Sequence, residues 1–462
     1  MKKLLCFILS FMTLSFLLPS AFAATPEIAA VYAAAETKDL FDENGDGEPA
    51  ATVLYYFDDG TYKQYIIRSG RCELYRQGRG DPAGGPGLGQ DALVQIYVKE
   101  ESTTIPTTIP TEEKPKPFPD SGQATYDEGA DTGIKITGYT KYSGTPASYF
   151  LSPGDKVAVI SPSALSGREQ AELTAEGLRS WGFEPVLGKY AYGEVRSLEK
   201  CLEDLRWALT DPEIKAIFCI RGGYGATEIL DELEEELIAG AGKPIIGYSD
   251  ITAYQGAWTC AGLPSVHASM SAAFENFPEA CAEAQRHMMA GEIPGYRCEA
   301  KPGCKTGTAE GILIGGNLST LTACLDTEYD CTKLNQPYIL FLEEVGENMQ
   351  HIHRYLTILK HKGVLDRAAG IIFGEWTGLP TDGMGNYGEA RGGLFRSVTD
   401  MIERQFLDGL DVPVIFGFPS GHGETNYPLL MGATAKMEVL EQSCSLSWPQ
   451  ADTEQDTQER TE

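Results

Sequence analysis

The chain has 462 residues with 42% hydrophobic and 10% aromatic content, which suits a globular protein long enough for two or three folding units. Its 66 acidic residues outnumber 37 basic ones, for a formal net charge of -29. That excess of negative charge argues against nucleic acid or an anionic membrane surface as a partner.

The first 23 residues stand apart. Lys2 and Lys3 precede an apolar run from Leu4 to Leu18, and Ala21-Phe22-Ala23 forms an A-x-A site. This pattern predicts a secretory signal peptide cleaved after Ala23, with a core too short to span a bilayer. Cys6 lies inside the apolar run and not at a cleavage site, which argues against a lipoprotein anchor. The expected mature protein is exported, extracellular or in the cell envelope, with a net charge of about -31 once the two lysines are removed. Ten of the eleven cysteines remain, in a compartment that permits disulfides, but spacing does not decide their pairing. There is no C-x-x-C pair and no H-E-x-x-H, so no metal site and no cofactor is predicted.

Residues 24–100 read as a small β-rich accessory domain. Val53–Phe57 and Thr61–Ile67 flank Asp58-Asp59-Gly60 and predict a hairpin. Asp42 to Gly47 matches the opening of a calcium loop, but Val53 occupies the twelfth position where a bidentate glutamate is needed, so a plain turn is the better reading. Residues 101–125, rich in Thr and Pro, predict an extended linker, and residues 448–462 an acidic, disordered tail.

From residue 126 to 293 the texture is α/β. Lys156–Ile160, Pro185–Leu187, Ala216–Ile220 and the run ending at Gly247 read as short buried strands. Helices are predicted from Arg168 to Trp181 and from Leu198 to Leu209. Such alternation predicts a Rossmann-like subdomain with a mostly parallel sheet. Residues 294–447 carry shorter β stretches (Gly311–Ile314, Tyr338–Leu342, Ile371–Phe373, Val414–Phe416) and predict a β-rich C-terminal subdomain.

The chemistry concentrates in four places. Lys243 to Thr252 runs from an apolar strand through Gly247-Tyr248-Ser249-Asp250-Ile251 toward a helix. A serine at such a corner is exposed and strained, and the next residue's N–H lies close to its Oγ, which suits a nucleophile with half an oxyanion hole. Ile251 stands where the usual G-x-S-x-G elbow has its second glycine, so helix capping by Ser249 or Asp250 fits equally. Arg221-Gly222-Gly223-Tyr224-Gly225 follows another strand. Its spacing is neither G-x-x-x-x-G-K nor G-x-G-x-x-G, and donating an N–H to an oxyanion is the better reading than phosphate binding.

A serine nucleophile needs a base and an orienting acid. Of six histidines, His287, His351, His353 and His361 read as surface residues, and His267 as a packed residue near a strand end. His422 lies in a glycine-rich loop after Val414–Phe416, where catalysis and structure are equally open readings. Glu343 ends an apolar strand and needs a partner to offset desolvation, whereas Glu344 alternates to the other face and is expected to stay solvated.

Taken in order, Pro153–Ser163, Asp211-Pro212 to Ile217, Arg221–Gly225, Ile246–Thr252, Gly315-Gly316-Asn317-Leu318, Leu342–Val345 and Gly417–His422 resemble the LD-carboxypeptidase family of serine peptidases, which includes the microcin-immunity peptidases. The resemblance spans about residues 150–435. It implies a metal-free peptidase that removes a terminal D-alanine from the L-centre of a murein tetrapeptide. It implies Ser249 as nucleophile, His422 as general base and acid, Glu343 as its orienter, and the amides of Gly223 and Asp250 as the oxyanion hole. Arg221, Tyr224 and Arg354 are candidate substrate contacts; Arg354 follows Glu343 in a helix that departs from the family's usual Tyr-x-Ile-Asp-Arg. A homodimer is a further implication. The export signal and the region 24–100 depart from the many family members that resemble cytoplasmic recycling enzymes. They suggest cell-wall association, and leave open a toxic peptide or peptidyl-nucleotide as substrate, or a non-catalytic wall-peptide-binding role.

Overall fold

A computed structural model describes the backbone of four N-terminal strands and residues 133–193, 195–379 and 397–449. The expected signal peptide, the Asp42–Gly47 loop, the linker at 101–125 and the tail beyond Pro449 lie outside the described residues. The chain divides into two compact units, Met1–Glu113 and Lys114–Glu462. Among the described residues no helix is long and apolar enough to cross a membrane.

In the first unit β1 (Ala51–Phe57), β2 (Thr61–Arg68), β3 (Arg71–Arg79) and β4 (Leu93–Val98) form one sheet in the order β3-β2-β1-β4. The expected hairpin is β1 with β2, antiparallel, with Tyr56 opposite Tyr62 and Val53 opposite Tyr65. β4 runs parallel to β1 on its other edge.

The second unit holds two sheets. Its strands are β5 (Ile134–Lys141), β6 (Lys156–Ile160), β7 (Glu184–Leu187), β8 (Ile214–Cys219), β9 (Ile245–Gly247) and β10 (Ser265–His267). Then follow β11 (Glu292–Glu299), β12 (Gly307–Asn317), β13 (Tyr338–Val345), β14 (Ala368–Thr377), β15 (Val414–Phe416), β16 (Leu429–Met431), β17 (Thr434–Val439) and β18 (Ser443–Ser447). The first sheet has the order β16-β10-β9-β8-β6-β7 and is parallel except for β16. The second has the order β15-β14-β13-β12-β17-β18-β11-β5, with a parallel block β12 to β15 and an antiparallel remainder.

Local sequence explains the elements. In β6 every residue from Val157 to Ile160 is buried, as a strand covered on both faces requires. Helix α1 (Arg168–Ser180) buries Ala171, Thr174, Ala175 and Leu178, one stripe at helical spacing. Helix α2 (Leu198–Thr210) starts at Ser197, whose side chain accepts from the Lys200 amide, and buries Cys201, Leu205, Ala208 and Leu209.

The expected boundary at 293/294 is crossed twice. β5, from the start of the region 126–293, pairs with β11 in the second sheet, and β16, from the C-terminal region, pairs with β10 in the first. Trp448, grouped with the acidic tail by sequence, is buried and donates its indole N–H to the Leu430 carbonyl at 3.0 Å. Cys298 faces Cys444 across a strand pair, and neither is joined in a disulfide.

Candidate active site

The carboxyl ends of β6, β8 and β9 bring the chemistry together, as open parallel sheets do. β9 ends at Gly247, Tyr248 is extended, and Ser249, at φ +66°, opens a single 3₁₀ turn (Ser249–Ile251) that leads into helix α3 (Thr252–Cys260). A left-handed non-glycine residue costs roughly 1–2 kcal/mol, and among the described residues only Asp326 shares it. Ile251 fits at the second glycine position because it packs on Gly247, where an added Cβ would lie 2.9 Å from the isoleucine Cγ1. The glycine needed for the tight corner is therefore the first one.

The glycine loop after β8 closes onto this corner. A Cβ on Gly222 would lie 2.8 Å from Ser249 Cβ, 3.0 Å from its Oγ and 3.3 Å from the Asp250 amide nitrogen. Gly222 thus makes the close approach, and the next peptide unit belongs to Gly223, at φ +116°. Asp250 does more than carry an amide. Its buried carboxylate accepts hydrogen bonds from the Ser163 hydroxyl and, at 2.9 Å, from the Ala226 amide. Ser163 follows β6 and Ala226 follows the glycine loop, so one side chain ties two loops to the serine corner. Arg196 adds a clamp, donating to the carbonyls of Ser163 at 2.7 Å and Gly225 at 3.0 Å and pairing with Glu228 at 2.9 Å. Sequence reasoning assigns no separate role to Gly222 or to Arg196 and offers the Asp250 side chain only as a helix cap; the repeated glycines are the one signal that could have found the first.

Glu343 and His422 meet. Glu343, near the end of β13, is fully buried, and its Oε2 lies 2.6 Å from His422 Nδ1. Gly421 permits this contact, since a Cβ there would lie 2.9 Å from Glu343 Oε2. Burial lowers the basicity of His422, and the adjacent Glu343 carboxylate more than offsets it, so the imidazole is held above its ordinary value of 6.5. The His422 ring centroid lies 4.7 Å from that of Tyr248, the residue before Ser249. A carboxylate on Nδ1 leaves Nε2 as the nitrogen for proton exchange.

Glu344 departs from expectation. It is buried, accepting from Asn317 Nδ2 at 2.8 Å, the Ser319 amide at 2.8 Å and the Val345 amide at 2.9 Å. The reason is helix α4 (Leu318–Ala323), whose start covers that face of β13 and whose cap is Asn317. The Asn317 backbone amide donates to Thr252 Oγ1 at 2.9 Å, which joins the serine helix to the end of β12, where Asn317 is the register partner of Glu343 on β13. His287, expected at the surface, is also buried; it bonds Glu292 at 2.6 Å and stacks on Tyr139 with ring centroids 4.2 Å apart. The helix Glu279–Met289 packs directly against β11, which closes over it.

The remaining candidates differ in placement. Arg221 is half-buried, while Tyr224 is 70% exposed beside the glycine loop. Arg354 is exposed on the helix Met349–His361, and among the described residues no hydrogen bond or ion pair joins it to Glu343 or His422. No group of three or more metal-binding side chains occurs among the described residues.

The chain matches models of the LD-carboxypeptidase N-terminal domain over residues 157–268 and C-terminal domain over residues 310–437. Ser249 falls in the first match, Glu343 and His422 in the second. A Streptomyces coelicolor relative that is named a carboxypeptidase is 30% identical over 312 residues, covering 65% of this chain and 95% of the relative. The murein tetrapeptide carboxypeptidase of Pseudomonas aeruginosa is 29% identical over 300 residues, 61% of this chain and 93% of that protein. The crystal structure of muramoyltetrapeptide carboxypeptidase from Oxalobacter formigenes shares the fold, with a TM-score of 0.57 at 22% identity over 64% of this chain and all of that one. With an α/β fold of the same kind and both domains matched in order, the chain belongs to the LD-carboxypeptidase family of serine peptidases.

Proposed function

We propose that this protein is an exported serine carboxypeptidase that hydrolyses the LD-peptide bond to a terminal D-alanine in murein tetrapeptides. The observation that carries the reading is the buried Glu343–His422 pair beside the strained Ser249 corner. The substrate class follows the named activity of the Pseudomonas relative.

In this reading Ser249 Oγ attacks the scissile carbonyl carbon while its proton passes to His422 Nε2. Glu343 holds the ring and stabilises the imidazolium. The oxyanion accepts from the amides of Gly223 and Asp250. The C–N bond breaks as His422 returns the proton to the leaving D-alanine nitrogen, forming an acyl-enzyme on Ser249. Water then attacks, giving its proton to His422, and collapse releases the tripeptide and restores the Ser249 hydroxyl. Tyr224, Arg221 and Arg354 are assigned to substrate, the arginines to its carboxylates. Residues 24–100 hold the enzyme at the wall, and the chain works as a homodimer.

The test is D-alanine release from purified murein tetrapeptide, followed with D-amino-acid oxidase. Wild type should release it and Ser249→Ala should not. Equal release by both would sink the serine assignment. Release of an amino acid only from a peptidyl-nucleotide would move the substrate class, and binding of wall peptide without cleavage by either would favour a binding protein. Export is read separately, as a secreted product whose N-terminus is Ala24.

A further inference from the structure

His267 ends β10 beside the elbow strand, with its register partner Gly247 two residues before Ser249. The imidazole is fully buried, and neither ring nitrogen has a hydrogen-bond partner within the protein. Its ring meets two groups edge-on. One is Phe341, 5.1 Å away between centroids, and the other is Tyr248, 6.0 Å away. Both contacts point to the same place. Phe341 lies two residues before Glu343, on the same face of β13. The Tyr248 ring neighbours both histidines, with centroids 6.0 Å from His267 and 4.7 Å from His422.

Glu343 presents a matching deficit. Its Oε2 is taken by His422, while its Oε1 is buried without a hydrogen-bond partner in the protein. A buried carboxylate oxygen and a buried imidazole N–H each lose roughly 1–3 kcal/mol when left unmade, so two complementary groups around the same aromatic rings call for one another. His267 lies near enough to Glu343 to feel its charge, and where two such groups make no direct hydrogen bond a single bridging water can join them. Ser265, two residues back on the same face as His267, has a buried hydroxyl that is likewise unpartnered and adds a second polar group to that face.

We propose that neutral His267 donates a ring N–H, through one bridging water, to Glu343 Oε1, and so acts as a positioning residue that fixes the carboxylate orienting His422. The charge balance agrees. Burial pushes His267 down to about 4, against the attraction of Glu343 and with the repulsion of His422, so the ring is a neutral donor across the working range. Tyr248, whose own ionisation burial suppresses, contributes no charge to the space. The inference rests on reading Glu343 and His422 as acid and base.

The test uses full-length protein labelled with ¹⁵N-histidine. Wild type should show slowly exchanging imidazole N–H protons from His422 Nδ1, from His267 and from the buried His287 that bonds Glu292, and Glu343→Gln should move the first two and leave the third in place. His267→Leu should shift the His422 signal and lower kcat for murein tetrapeptide roughly tenfold with KM unchanged. His267→Gln, which keeps a neutral donor, should recover most of that loss. A His267 signal unmoved by Glu343→Gln would overturn the inference, and so would His267→Leu with wild-type kcat and a wild-type His422 signal. If His267→Leu fails to fold, the Glu343→Gln comparison decides. A wild type that shows the His422 and His267 signals yet cleaves no murein peptide would fail the substrate reading alone; one without the His422 signal would fail both.

Discussion

Gly222 and Ser249 occupy adjoining space so closely that a methyl group on the glycine would start 2.8 Å from the serine Cβ and 3.0 Å from its Oγ. The Gly222 backbone is not left-handed, so alanine is tolerable there except for this contact. Gly222→Ala should therefore fold with an unchanged circular dichroism spectrum while kcat for murein tetrapeptide falls by at least about tenfold, because Oγ leaves its attack position. Wild-type turnover in this variant would mean that the glycine loop does not set the serine.

The strain at Ser249 can be measured separately from its chemistry. Ser249→Ala and Ser249→Gly both remove the hydroxyl, and each should lower kcat by several powers of ten. Only glycine relieves φ +66°. Ser249→Gly should therefore be the more stable of the two by about 1 kcal/mol in denaturant unfolding, after the extra unfolded-chain entropy of glycine is offset. Equal stability would show that the corner stores no strain.

Much of this site was legible because its parts are local. The apolar run into Gly247, the corner serine and the helix after it lie within ten residues, and Glu343 at the end of an apolar strand announced a buried carboxylate that needs a partner. What was not legible depends on neighbours distant in sequence. The burial of Glu344 comes from Asn317 and Ser319, and that of His287 from β11 closing over its helix. Which of two adjacent glycines touches Ser249 depends on the twist of the loop, which composition does not encode. The strand exchange of β5 and β16 rests on pairings over many residues, between segments too short or too irregular to reveal their partner.

The pH profile of turnover should report the Glu343–His422 pair. A general base works only when neutral, and the Glu343 carboxylate holds His422 above 6.5 despite burial. The rising limb of kcat/KM should thus lie above pH 6.5. Glu343→Gln removes the charge and supplies the wrong hydrogen-bond partner to Nδ1; kcat should fall on the order of 10³–10⁴-fold, and any residual activity should have its limb at lower pH. A limb that stays in place in Glu343→Gln would assign it to another group.

His267 should leave a signature in stability that has the opposite sense to that of His422. Its value falls from 6.5 in the unfolded chain to about 4 in the fold, because burial disfavours the charged ring. Between those limits the unfolded chain binds a proton that the folded protein does not, so stability rises with pH there. The contribution is complete above about pH 6.5 and is lost as pH falls toward 4, at most about 3 kcal/mol. His422 is shifted upward instead, so its stabilisation is complete below pH 6.5 and fades as pH rises through its folded value. Urea unfolding of wild type and His267→Gln, compared at each pH so that the shared carboxylates cancel, should show the difference shrinking or reversing from pH 6.5 to pH 4 and staying flat above pH 7. A difference independent of pH would mean that His267 is protonated in the folded protein.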